Sequence, residues 1–142
     1  MSAIRGAAIL VAVAISQGSM SPVTPQFDPA KAGWRLRSTD HFDIYYPTTL
    51  DVGSIPREAE RAYAGVSRER HEQVSGKVPL ILLPTSADLP RTEQDAAVIV
   101  RASGAPARDH LLLAVEPRDG RENRLAHELT HVFEFEGRSR LE

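Results

Sequence analysis

Six residues near the middle of the chain, Val78 to Leu83 (VPLILL), carry neither a charge nor an alternation of apolar with polar side chains. Successive side chains of a strand point to opposite faces, so a strand with one wet face alternates. A run that is apolar on both faces belongs to a strand covered on both sides. The stretch Lys77 to Thr85 (KVPLILLPT) is therefore expected to be a doubly buried strand, and its neighbours must supply the covering layers.

Upstream, Phe42, Ile44 and Tyr46 alternate with Asp43 and Tyr45, which predicts a half-buried strand ending at Pro47. From Ile55 to about Val74 the spacing changes to three- and four-residue steps through Ala59, Ala62, Tyr63, Val66 and Arg70. Ser54 is placed to cap that helix, Pro56 suits its first turn and Gly76 its end. Downstream, SADLPRTEQDA reads as a polar connection, and Ala96–Ala102 (AAVIVRA) and His110–Pro117 (HLLLAVEP) read as two further strands around a Gly/Pro loop. A last helix follows, with Asp119 and Glu122 spaced as a capping box, Leu125, Leu129, Val132 and Phe133 as its apolar stripe, and Gly137 as its stop. The expected order is strand, helix, strand, strand, strand, helix: an α+β fold with a mixed sheet of about four strands. Trp34, Tyr45 and Tyr46 read as aromatics of the core or its edge.

At 142 residues the chain is one domain at most. Its net charge of −2 gives no reason to expect nucleic acid or an anionic membrane as partner. There is no cysteine, so disulfides are excluded and any metal must be held by His, Asp or Glu. The first twenty residues run from a single arginine through an apolar core, Gly6 to Ile15, to the small polar residues SQGSMS. That is the order of a signal peptide, and about ten apolar residues are too few to span a bilayer. The division expected is a signal peptide over 1–20, an extended proline-containing leader over 21–33 and the folded domain over 34–142. Export sets the location as secreted, periplasmic or cell-envelope.

The chemistry sits in the last helix, in HELTH, His127 to His131. Two residues four apart on a helix project from one face, one turn from each other, so His127 and His131 can reach a single ion. Glu128 is rotated by about 100° from His127 and lies beside the ion, not on it. Metal-assisted hydrolysis asks for this division, in which zinc lowers the pKa of a water and a neighbouring carboxylate takes the proton as oxygen attacks a carbonyl. The plain alternative is an amphipathic helix with two solvent-facing histidines and one more surface acid.

HELTHVFEFE, preceded by HFDIYYP, REAERAYAGVSRERHEQV and KVPLILLPT, resembles the zincin metallopeptidases, and more narrowly the gluzincin-type, peptidase MA-like domains of exported bacterial proteins. The likeness runs from about Trp34 to Gly137. It implies Zn2+ held by His127 and His131, Glu128 as general base and acid, a peptide or protein substrate, and a strand within Ala96–Pro117 that lines the cleft and pairs with it.

A catalytic zinc takes three protein ligands and one open position. Gluzincins take the third from a glutamate on a later helix, whereas only eleven residues follow His131 here. Glu134 and Gly137 stand where the metzincin pattern has glycine and a third histidine. Glu134 shares the histidine face but lies about 10 Å along the axis from His127, so it is expected beside the ligands and not among them. Glu136 and Glu142 come within reach only if the chain folds back. The expectation is thus the first half of a zincin, without the C-terminal helices, with its cleft open beside residues 110–115 and Phe133 or Phe135 uncovered. The alternative is a non-catalytic exported α+β module with an incomplete metal site. His41 and His71 are expected to be surface or satisfied core histidines, and His110 is a lesser candidate for the site.

Overall fold

The structure, a computed structural model, describes residues 26–108 and 110–141. The expected signal peptide lies outside the described residues, as do residues 21–25 of the leader, and so does Glu142. The described chain is an α+β fold of four strands and three helices: β1 (Trp34–Ser38), β2 (Phe42–Pro47), α1 (Ile55–Arg70), β3 (Val78–Thr85), α2 (Glu93–Ser103), β4 (Leu111–Glu116) and α3 (Arg121–Ser139). The sheet order is β1-β2-β3-β4, with β1 antiparallel to β2 and the other neighbours parallel. No described helix is long and apolar enough to cross a membrane.

β3 is the doubly buried strand. Val78, Leu80 and Leu82 face a core shared with α1 and α3, while Ile81 and Leu83 face a smaller core completed by Ile99 and Val100 of α2. Burying a side chain of this size stabilises by about 1.5–3 kcal/mol, so β3 anchors both layers. β2 alternates as expected: Phe42 and Ile44 are fully buried towards α1 and α3, and Tyr45 packs on the α2 side. Trp34 also joins the α2 side, its indole N–H donating to Pro29 O at 3.2 Å.

The strand expected over Ala96–Ala102 is instead the body of α2. The Thr92 side chain accepts from the Asp95 backbone N–H at 3.1 Å, Glu93 and Asp95 favour the positive end of the helix, and Gly104 at φ 76 closes it. The fourth strand of the sheet is β1, whose residues are mostly exposed, with Leu36 55% exposed. It offers no buried alternation to read.

The ends of the helices also differ from expectation. α1 stops at Arg70, six residues before Gly76, because His71 takes up a left-handed conformation (φ 53). The Glu72 N–H then returns to Ser67 O at 3.2 Å, and the Ser67 hydroxyl donates to Glu72 O. Ser54 does stand at the N-cap of α1, but its hydroxyl donates to Glu58 and makes no capping bond. On α3 the cap is Gly120 without a side-chain bond, so Asp119 and Glu122 form no capping box; Glu122 pairs across to Arg61 of α1 at 3.0 Å. Gly137 lies inside α3, which continues to Ser139.

Candidate metal centre

α3 is fixed before its histidines are reached. Leu125, Leu129, Val132 and Phe133 are all buried, with Leu129 fully so, and Phe133 meets Tyr63 of α1 at 5.3 Å between ring centres. Its first turn is clamped by two arginines. Arg121, nearly buried, makes a bidentate pair with Glu58 of α1 (2.7 and 2.8 Å) and donates to Val115 O at the end of β4 (3.0 Å). Arg124 donates to Pro117 O at 2.7 Å and Asp119 O at 3.0 Å. The hydrogen bonds from Arg121 hold the Glu58 carboxyl below its ordinary range, against the burial that would raise it.

Two turns on, the Nε2 atoms of His127 and His131 approach to 3.4 Å, with the rings perpendicular and their centres 4.9 Å apart. Two nitrogens each at about 2.05 Å from a tetrahedral zinc would stand about 3.3 Å apart. The pair therefore spans one edge of such a tetrahedron before any ion is considered. At about 100° per residue the pair points roughly opposite the Leu125–Phe133 stripe, and His127, Glu128 and His131 are all exposed. Glu128 lies roughly 80° round the helix from the middle of the pair, on the side of Arg124. The residues thus share an open face. Phe133 is 2% exposed and Phe135 59%, so of the two phenylalanines it is Phe135 that stands uncovered.

Glu134 is not a third ligand. Its carboxylate lies 3.8 Å from Nδ1 of His131, on the far side of that ring from Nε2, and 3.7 Å from Arg70 of α1. Glu136 points elsewhere, accepting from the Ser75 N–H at 3.0 Å. Among the described residues no group of three or more His, Cys, Asp or Glu side chains converges on one point.

The other histidines stand apart. His41 Nδ1 meets Glu60 at 2.6 Å while its ring stacks on Tyr63 at 3.9 Å, a satisfied packing residue. Burial would raise the Glu60 carboxyl, but its bonds from Thr39 and His41 outweigh that and leave it lowered. His71 ends α1. His110 lines a cavity with Ala97, Val100 and Ala105, on the α2 side of the sheet and so across it from α3.

The residues that hold the candidate site's helix in place, and that the sequence did not disclose, are the clamps. Arg121 and Glu58 are 63 positions apart. The available hint was an arginine in the first turn of a helix, where the positive end of the helix dipole disfavours it unless an acid answers. Compared with protein-family models, curated proteins and solved structures, the chain matches none of them.

Proposed function

We propose that the chain is an exported zinc-dependent metallopeptidase domain, with His127 and His131 as two of the ligands and Glu128 as the group that moves the proton. The observation that carries this is the 3.4 Å Nε2–Nε2 separation on a helix fixed from its opposite face. For both Nε2 atoms to donate to a metal, each ring proton must sit on Nδ1; Glu134, 3.8 Å from His131 Nδ1, is a carboxylate on the side where that proton would point, beyond hydrogen-bond reach. Zinc bound there supplies Lewis acidity, polarising a carbonyl and lowering the pKa of a water. Glu128, exposed beside the pair, takes the proton of the attacking water and returns it to the leaving amine. Arg121 and Arg124 hold the first turn of the helix to β4, the loop after it and α1, which fixes the backbone that carries the two imidazoles. The third ligand of a catalytic site is then supplied from outside the described residues. Peptides are the substrate class, and β4, an edge of the described sheet, offers an extended backbone for pairing.

Casein hydrolysis that requires zinc, stops on chelation and disappears in Glu128→Gln is the expected result. Hydrolysis that survives Glu128→Gln overturns the assignment, and so does failure to take up zinc. A second reading, a non-catalytic exported binding module, is favoured by the count of two converging donors among the described residues. Zinc uptake with no hydrolysis of any peptide would select it.

A further inference from the structure

We propose that the His127–His131 pair joins two copies of this chain through one shared zinc ion, in a closed site of four imidazoles. The proposal rests on the reading that this pair binds zinc and adds a partner and a regulatory consequence to it. The pair supplies two of four tetrahedral vertices, and among the described residues no third His, Cys, Asp or Glu converges with them. Whatever fills the remaining vertices comes from another source, and a second copy brings an identical pair already set at the required spacing.

The surroundings favour that occupant. The pair stands on the outward face of α3, with His131 60% exposed, which is where a second helix would approach. Leu129 is midway between the histidines. Arg124 is five residues before it and Glu134 five after. If two α3 helices approach antiparallel about a two-fold axis at Leu129, Arg124 of each copy comes level with Glu134 of the other. A parallel approach sets arginine beside arginine and glutamate beside glutamate. Charge therefore selects the antiparallel arrangement. Phe135, uncovered in the single chain, flanks the same face and loses solvent contact as the helices close.

Four protein ligands leave a tetrahedral zinc no open position. The shared site is structural, and chemistry at this ion is silenced for as long as two copies hold it. Regulation follows from mass action: high concentration of the chain favours the silent dimer, and dilution or a competing donor releases the half-site.

The test is a titration of the full chain with Zn2+ alone, followed by sedimentation equilibrium and by competition with a chromophoric chelator. The expected result is a doubling of mass at one zinc per two chains, reversed by chelation and lost in His131→Ala, an exposed substitution that leaves the core untouched. Glu134→Lys, which sets a cation level with Arg124 of the other copy, should weaken the zinc-dependent dimer about tenfold beyond any change in zinc uptake by the single chain. One zinc per chain with no change of mass overturns the shared site and leaves the metal reading standing. No zinc uptake at all removes both. Doubling without zinc, or doubling that survives His131→Ala, overturns the bridge, and indifference to Glu134→Lys overturns the antiparallel placement.

Discussion

The two faces of α3 are built on opposite terms. Its inner face, from Leu125 to Phe133, is buried to 7% exposure or less at every stripe position, while its outer face carries His127 and His131 in the open. The inner face owes its stability to packing, and any change of volume there is felt by α1, β3 and β4 together. The outer face owes the rest of the fold little. Its order comes from the other side of the same helix, and the metal binding proposed for it rests on the spacing of two ring nitrogens. A helix packed through one face can therefore hold a two-histidine half-site on the other without the site contributing to stability. That claim can be broken by measuring both faces in the same units.

The largest effect is expected on the inner side. Leu129→Ala removes a fully buried side chain between α1 and the sheet and should destabilise by about 3–4 kcal/mol, read as a shift of the urea midpoint at constant slope. Because the helix carries the pair, zinc uptake should fall in step with the folded fraction and not before it. A variant that loses zinc while still folded would show that packing tunes the site directly.

Next in size is the clamp at the first turn. Glu58→Gln leaves the nearly buried Arg121 without its counter-charge and should cost about 2–3 kcal/mol, less than a wholly buried pair because the Glu58 side chain is 15% exposed. The same pair sets a pH dependence. The Glu58 carboxyl is lowered in the fold, so its contribution is present above the unfolded value of about 4.3 and disappears as pH falls through the folded value. Stability should therefore decline on acidification below about pH 5, with Glu60 contributing in the same direction. In Glu58→Gln that acid limb should be shallower, and an unchanged limb would remove Arg121–Glu58 as its source.

The residues that were legible in the sequence are those whose signal is local. The stripe of α3, the alternation of β2, the unbroken apolar run of β3 and the i, i+4 histidines each follow from one periodicity. Ala96–Ala102 reads as a strand because it is rich in β-branched residues, and the competing helical signal lies in one capping side chain, Thr92, together with a left-handed glycine at 104. β1 escaped because an exposed strand such as Trp34–Ser38 has no buried face to pattern. The Arg121–Glu58 clamp joins residues 63 positions apart and is a property of the packed helices alone. Half of the site was legible for the same reason that half of the fold was. The spacing of His127 and His131 is written in the chain, and among the described residues no further His, Cys, Asp or Glu converges on the pair.

The smallest effect on stability, and the sharpest form of the comparison, belongs to the outer face. His127→Ala removes an exposed ring whose neighbour is another exposed ring, and no cavity or unpaired buried charge is left behind. Its cost without metal should lie within about 0.5 kcal/mol, a thermal midpoint shift of about 1–2 °C for a domain of this size. Zinc then separates the two faces. A ligand that binds only the folded state stabilises it by RT ln(1 + [L]/Kd), about 2.7 kcal/mol at a hundredfold excess over Kd. The parent chain should gain a zinc-dependent rise in its midpoint, Leu129→Ala should start lower yet gain a similar rise while folded, and His127→Ala should start near the parent and gain almost none. If His127→Ala instead fell as far as Leu129→Ala in the absence of metal, the histidine face would be part of the scaffold, and the division between the two sides of α3 would fail.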